Sequence, residues 1–383
     1  MKFFHLSDLH IGLKLINHNL REDQEYILDQ IIREAARVQP DAVVIAGDLY
    51  DRAVPSAEAV ELFDHFLSGL AAAVPDAEIM AISGNHDSAQ RIDLYRNILG
   101  ARRIHMIGSP PQREGERIET VTLRDEYGEV RFYLLPFVKP SMVRQLIGRE
   151  DDVAGLSYDE TLRRLIGRET INPEERNVLV SHQFYLPVGK NPEEVERMDS
   201  EIRTVGNIDE VRADVLEPFD YAALGHIHKP MKAGRDSWRY SGTPLACSVS
   251  EAGQQKGILQ VDMKEKGNLE VTEIPLDPLR QVRVVRGSLS EVLAQGCGDY
   301  VSVVLTDPVD LDVIDMQDRI RFAFPNLLEI RRENRRRADY QAEYSEEREM
   351  DVFELCNSFL KDLDGEEQEI LRSVINTVQE VQA

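Results

Sequence analysis

Short, mostly apolar runs alternate along this chain with longer stretches in which apolar residues recur every third or fourth position. Phe3 to Leu6, Asp41 to Ala46, Glu78 to Ile82, Val130 to Leu135, Val178 to Val180, Tyr221 to Leu224 and Ile258 to Met263 have the length and β-branched content of buried strands. Between the first two, Tyr26, Ile27, Ile31, Ile32 and Ala35 sit at helical spacing within Arg21 to Val38, and Ala57 to Val74 reads as a second helix. Strands followed by amphipathic helices predict an α/β fold. Near Leu276, Asp277 and Pro278 the character changes. Strand-like runs at Val282 to Val285 and Tyr300 to Leu305, with helical segments between, predict a smaller second α/β domain over residues 278–340. In the tail, residues 341–383, Val352, Phe353, Cys356, Phe359, Leu360 and Leu363 form one helical stripe. Ile370, Leu371, Val374, Ile375, Val378 and Val381 form another, and Asp364 to Glu367 between them has the spacing of a capping box.

Length and composition change this picture little. A chain of 383 residues, 42% hydrophobic and 30% charged, reads as a soluble globular protein of two or three domains. Its charge matters more. At −24 the chain offers nucleic acid no bulk attraction, so chemistry on nucleic acid needs a local site or a borrowed surface. The tail carries twelve acidic residues against three basic ones, and Arg331, Arg332, Arg335, Arg336 and Arg337, the densest basic run, read as a solvated helix face. Cys247, Cys297 and Cys356 form no CxxC pair, which argues against a thiolate zinc site or a disulfide framework and fits a reducing compartment. With no apolar stretch of membrane-spanning length and no leader-like start, a cytoplasmic location is expected.

The candidate chemistry lies where strands end. Asp8-Leu9-His10, Gly47-Asp48, Gly84-Asn85-His86-Asp87, Ser181-His182 and Gly225-His226-Ile227-His228 each follow a strand-like run. Ligand sites of open α/β sheets gather beyond the carboxyl ends of their strands, so five segments spread over some 220 residues of sequence can meet. Any one motif alone is more often a loop with a hydrogen-bonding residue. Together they hold five of the nine histidines. Imidazole, carboxylate and amide donors without thiolate suit manganese, iron or zinc in a five- or six-coordinate site. Asp8, His10, Asp48, Asn85, His182, His226 and His228 are more ligands than one ion takes with room left for substrate, so two ions are expected, bridged by Asp48. Asp8 and His10, at i and i+2 of an extended strand end, would point the same way. His5 reads as a core or strand residue, His65 as one among the apolar residues of a helix, and His105 as one that follows a basic turn. Asp51 and Asp87 are expected to orient ligands or loops, and His18 and Arg52 could face substrate.

The order of these motifs, with Asp48 extended to Gly47-Asp48-Leu49-Tyr50-Asp51-Arg52 and with Tyr240 to Pro244 following, resembles the calcineurin-like metallophosphoesterases. Pro136 to Val138, Val205 to Asp209 and Gln281 to Leu293 add a resemblance to the SbcD family, the nuclease subunits of bacterial SbcCD DNA-repair complexes. The resemblance implies a four-layer α/β/β/α domain over residues 1–277, with the small domain capping it and the tail contacting an SbcC-type coiled-coil ATPase; packing of the tail helices on their own domain is the competing reading. It assigns Asp8, His10, Asp48 and His228 to one ion and Asp48, Asn85, His182 and His226 to the other, with Mn2+ the usual metal. It further implies 3′ to 5′ exonuclease and ATP-dependent endonuclease action in break repair, and a homodimer joined near residues 57–100 within a heterotetramer.

For the chemistry itself, two divalent cations bring four positive charges. Asp8 and Asp48 offset two, and a hydroxide and a phosphodiester offset the rest, so a diester balances the site. His86, beside a ligand but not needed as one, is the candidate general acid. A stand-alone phosphoesterase acting on nucleotides or phosphoproteins and a metal-free protein-binding scaffold are the rival readings. The added domain and tail speak against the first, and the complete ligand set against the second.

Overall fold

The computed structural model describes residues 1–94, 96–148, 155–187, 189–190, 198–199, 201, 209–307, 313–333, 352–360 and 363–382. Two six-stranded sheets lie face to face. β1 (Lys2–Leu6), β2 (Ala42–Ala46), β3 (Glu78–Ile82) and β4 (Ile104–Ile107) belong to the first. The chain then builds the second from β5 (Glu119–Asp125), β6 (Gly128–Leu135), β7 (Arg176–His182), β8 (Tyr221–Gly225), β9 (Met231–Lys232) and β10 (Trp238–Tyr240). It returns with β11 (Gly257–Met263) and β12 (Leu269–Pro275) to complete the first. The orders are β12-β11-β1-β2-β3-β4 and β9-β10-β8-β7-β6-β5. β1 to β4 run parallel, as do β6, β7, β8 and β10, so within each sheet the carboxyl ends of these strands lie along one edge.

The period-two alternation of strands, with both faces covered, explains why the runs are mostly apolar. Phe3, Val44, Ala46, Met80 and Ile82 face the second sheet and meet Phe132, Val178, Val180, Tyr221 and Ala223. Their neighbours Phe4, Leu6, Val43 and Ile45 face outward, against Ile27, Ile31, Phe63, Phe66 and Leu70 of α1 (Arg21–Val38) and α2 (Ala57–Ala73). On the other side, α3 (Pro140–Ile147) and α4 (Tyr158–Ile166) cover Leu135, Leu179 and Leu224 with Val143, Leu162 and Leu165. These are the four layers α/β/β/α. Ser56 caps α2 by accepting from the Ala59 N–H at 3.2 Å, which fixes where that helix starts after the polar loop.

A third, all-parallel sheet of β13 (Val282–Gly287), β14 (Tyr300–Leu305) and β15 (Leu327–Arg332) packs Val285, Val301 and Val303 against Val292 of α5 (Leu289–Leu293) and Ile320 of α6 (Val313–Ala323). Asp23 of α1 joins it to the main body, accepting from Tyr300 Oη and Arg280 Nη1, both at 2.8 Å. Arg331 and Arg332 end strand β15 and are not on a helix, contrary to the sequence expectation. The apolar residues at every second position, Leu328 and Ile330, place this run in a sheet, and Arg331 pairs with Glu329 at 2.8 Å. Arg335, Arg336 and Arg337 lie outside the described residues, as does most of Val205 to Asp209.

In the tail, α7 (Val352–Leu360) and α8 (Gly365–Gln382) pack on each other through Phe353, Cys356, Leu371 and Ile375. Asp364 and Glu367 cap α8 reciprocally, each side chain accepting from the other's backbone N–H at 2.9 and 3.0 Å. Val352, Phe359, Leu360, Ile370 and Val374 remain exposed.

The edge of the sandwich remote from the strand ends is held by charge. Arg176 donates to both oxygens of Asp125 at 2.5 and 3.0 Å and to the Met263 and Lys264 carbonyls of the other sheet. Burial opposes ionisation of Asp125, but Arg176 and the Met1 amino group outweigh it and hold its carboxyl well below the usual range. A carboxyl depressed in the folded state stabilises above its unfolded value of about 3.9 and loses that contribution as pH falls toward the folded one. The melting temperature should therefore drop as pH is lowered below about 5. Asp125→Asn should be less stable at pH 7 and show a shallower acid loss; equal slopes of melting temperature against pH would remove Asp125 from this role.

Candidate metal centre

Parallel register brings the five motif segments to one end of the sandwich. Leu6 pairs with Ile45 and Ala46 with Ile82 in the first sheet, and Gly225 pairs with His182 in the second. The residues that follow these pairs face each other across the seam. Asp8, His10, Asp48, His182, His226 and His228 are all buried there, and Asn85 is half-buried. Strand geometry does not aim them, however. Asp8, His10, Asp48 and His226 have φ of 54°, 42°, 51° and 96°, so each sits in a left-handed turn beyond its strand. The expectation that Asp8 and His10 share an extended strand end is corrected accordingly: β1 stops at Leu6. Such backbone is costly for residues other than glycine and persists where the surrounding structure holds it, most often at functional sites. Here it is held by Asp8 N–H donating to the Gly47 carbonyl and His10 N–H to the Asp48 carbonyl, both at 3.0 Å. The glycines are there for room, since a Cβ on Gly84 would run into the Asp48 carboxylate and one on Gly47 into the His182 ring.

The side chains form two overlapping groups. In one, His10 Nε2 lies 3.1 Å from His228 Nε2, with Asp8 completing the set. In the other, His182 Nε2 lies 3.3 Å from Asp48 Oδ2 and 4.0 Å from Asp8 Oδ1. Asn85 Oδ1 is 3.0 Å from both His182 Nε2 and His226 Nδ1. Asp48 touches both groups, with Oδ2 also 3.7 Å from His10 Nε2. His86 stands beside them, edge-on to the His10 ring at 4.8 Å and within reach of Asp48 and His10.

Charge in this pocket is set by the carboxylates. Burial raises Asp8 above the usual carboxyl range. It would raise Asp48 as well, but the fields of His182, His86 and His10 outweigh it and hold that group low. Burial pushes His10 down, whereas in His182 the attraction of Asp48 and Asp8 overcomes burial and lifts the imidazole to about 9. His182 Nδ1 donates to the Ala46 carbonyl at 2.7 Å, so Nε2 is the nitrogen that faces three oxygens. A positive centre belongs there, a proton or a cation. Two carboxylates, an amide oxygen and four imidazoles fit a pair of hard or borderline divalent ions in this place.

Asp87 is half-buried and accepts from Gly84, Leu49 and Tyr50 N–H at 2.9, 3.0 and 3.0 Å, tying two motif loops together. Burial and the nearby Asp48 charge push its carboxyl up to about 6. The Asp51 carbonyl accepts from His86 Nδ1 at 2.9 Å, while its carboxylate meets the exposed Arg52 at 3.4 Å. His18 is not in the cluster: its Nε2 lies 3.0 Å from the Leu327 carbonyl and its ring lies against Tyr300. His5 is core, between Tyr221 Oη at 2.9 Å and the Leu224 carbonyl at 3.2 Å. His65, expected among apolar residues, is exposed and pairs with Asp29 at 3.1 Å, and His105 pairs with Glu78 at 2.7 Å.

Four buried polar residues around the cluster escaped sequence reading. Ser7 donates to Asp8, Glu201 accepts from His228 N–H at 3.0 Å, and Glu251 with Lys256 lies behind the His228 ring. Cys247 also groups with His228 and Glu251, but the Lys256 ammonium 2.6 Å from Glu251 already supplies the positive charge there. Pattern could have flagged Glu251 and Lys256, since both follow Tyr240 to Pro244 in a short polar run before strand β11.

Residues 1–230, the part of the chain that carries the whole cluster, match the calcineurin-like phosphoesterase family. The chain belongs to that family. Calcineurin-like phosphoesterases of this kind are metal-dependent hydrolases, and the cluster supplies candidate ligands for the ions. Residues 278–362 match a second model, the type 5 capsule protein repressor C-terminal domain, which is the C-terminal domain of SbcD-type nucleases. Matching solved structures include a dimetal phosphatase from Danio rerio, at 14% identity over 74% of this chain and 99% of that one, with a TM-score of 0.41. A protein of Thermus thermophilus, TT1561, matches at 12% identity over 71% of this chain and 98% of that one, with a TM-score of 0.41.

Proposed function

We propose that this calcineurin-like phosphoesterase is a two-metal DNA nuclease, the hydrolytic subunit of an assembly with an SbcC-type coiled-coil ATPase that processes DNA ends and hairpins. The observation that carries this reading is the presence in one chain of the phosphoesterase region at residues 1–230 and the SbcD-type domain at 278–362. Two Mn2+ ions, when bound, would lower the pKa of an attacking water and stabilise charge on the phosphoryl oxygens of an in-line displacement. Asp8, His10, Asp48 and His228 would hold one ion, and Asp48, Asn85, His182 and His226 the other.

The chain's own chemistry is then positional. Asp48 faces both groups and its Oδ1 accepts from the His86 N–H at 2.9 Å, so the carboxylate that would serve both ions also fixes the loop carrying the proposed acid. His86 donates through Nδ1 to the Asp51 carbonyl, a bond available in either protonation state. Nε2 is thus left to give a proton to the departing sugar oxygen. The acidic net charge calls for shared DNA binding, through the ATPase and a second copy of this chain. The exposed apolar residues of α7 and α8 suit an amphipathic face laid against a partner helix. Val60, Leu94 and Ile98, all exposed, suit contact between copies. Among the described residues no helix is long and apolar enough to cross a membrane.

Adding Mn2+ to the metal-stripped chain should switch on cleavage of single- and double-stranded DNA and of bis(p-nitrophenyl) phosphate, with much slower turnover of p-nitrophenyl phosphate. Hydrolysis confined to the monoester would instead favour a stand-alone phosphatase.

A further inference from the structure

One buried charged pair lies behind His228, its carboxylate facing the ring and its ammonium bonded to the backbone carbonyl. Glu251 Oε1 lies 3.6 Å from His228 Nδ1, on the side of the ring away from His10. Glu251 Oε2 accepts from Lys256 Nζ at 2.6 Å and from Thr243 Oγ1 at 3.0 Å. Lys256 Nζ reaches the His228 carbonyl itself at 3.2 Å, together with Thr243 Oγ1 at 2.8 Å and Gln254 Oε1 at 3.0 Å. The His228 carbonyl also takes the Thr243 N–H at 3.1 Å. Glu251 is 1% exposed and Lys256 5%.

A buried ion pair is weak support for a fold, because apolar residues of similar volume often serve stability as well. Its position behind a histidine gives it another use. A neutral imidazole carries one N–H and one lone pair, and free in water it exchanges between two tautomers. The nitrogen that faces a cation must keep its lone pair, so the hydrogen must stay on the other one. An ionised carboxylate behind the ring holds it there, and an ammonium beside that carboxylate keeps it ionised and aimed.

We infer that Glu251 and Lys256 form a positioning pair that fixes the tautomer and orientation of His228 and so sets the affinity of one of the two ion positions. Neither residue touches the reacting atoms. The inference rests on the proposed two-metal reading, in which His228 Nε2 meets an ion beside His10 and Asp8.

The test is Mn2+ titration calorimetry on the metal-free full chain, with melting temperature and ring 15N spectra of His228 alongside. The wild-type should bind two Mn2+, with His228 carrying its hydrogen on Nδ1. In Glu251→Met/Lys256→Met, which removes both charges at similar volume, one binding step should weaken about 10- to 100-fold and the other stay within about twofold. The Nδ1–H signature of His228 should be lost. Glu251→Asp keeps the charge pair but draws the carboxylate back by one methylene, and should weaken the same step by at least about threefold. It carries the test if the double variant does not fold. Two unchanged binding steps in either folded variant overturn the inference alone; a wild-type chain that takes up no Mn2+ overturns the two-metal reading beneath it.

Discussion

Asp48→Asn should lower the Mn2+ content of the chain from two ions to none at micromolar free metal and reduce turnover on DNA by at least about a thousandfold. The side chain has one oxygen 2.9 Å from the His86 N–H and the other 3.3 and 3.7 Å from His182 and His10, so it is the carboxylate placed to serve both ligand groups. Without its charge, two dications held by these groups would repel each other with only a neutral amide in place of the shared anion. A thousandfold is about 4 kcal/mol of barrier, within what the loss of metal-centred charge stabilisation supplies. Asparagine is the informative replacement. Asp48 has φ of 51°, and asparagine tolerates left-handed backbone that alanine would strain, so the loop should survive with its shape kept. Elemental analysis gives the stoichiometry and the melting temperature of the metal-free chain gives the fold. Two ions retained by a folded Asp48→Asn chain would mean that Asp48 does not bridge.

His86→Ala should separate metal from catalysis. The ring lies beside the cluster but its Nδ1 is committed to the Asp51 carbonyl, and the seven other donors suffice for two ions. Both Mn2+ should stay within a few-fold of wild-type affinity while DNA cleavage falls about 10²- to 10⁴-fold, the usual worth of a positioned general acid. Leaving-group chemistry sharpens the expectation. A sugar alkoxide needs a proton as it departs, whereas a nitrophenolate leaves as a stable anion. The variant should therefore keep most of its activity on bis(p-nitrophenyl) phosphate while losing it on DNA. Equal losses on the two substrates would assign His86 to binding or loop geometry in place of proton donation.

Both predictions start from residues that are legible in the chain before it folds. Each proposed ligand follows an apolar run, and the runs themselves are plain because strands buried on both faces have no polar side to interrupt them. Helix α1 is readable from its spacing, and the Asp364 and Glu367 cap from its motif, because both are properties of a few neighbouring residues. Strands β5 and β12 are not among the runs read from sequence: β5 reads Glu-Thr-Val-Thr-Leu-Arg-Asp and β12 Leu-Glu-Val-Thr-Glu-Ile-Pro. Both lie at sheet edges with one face to solvent, so polar residues break their runs. Arg331 and Arg332 looked helical as a charge cluster because charge alone carries no period; their strand is set by pairing with β14.

By itself, then, the sequence determined which donors this protein owns and which apolar runs carry them, since alternation, helical spacing and motif order are local. It did not determine how the donors meet. The i and i+2 spacing of Asp8 and His10 suggested a shared face of a strand, yet they converge through left-handed turns that are held by the carbonyls of Gly47 and Asp48, far along the chain. Tertiary structure also recruited Glu251 and Lys256 behind His228 and sent His18 to the junction with the third sheet. Those outcomes depend on parallel register between strands far apart in sequence and on which buried charges end up facing one another, and neither leaves a period in the chain to be read.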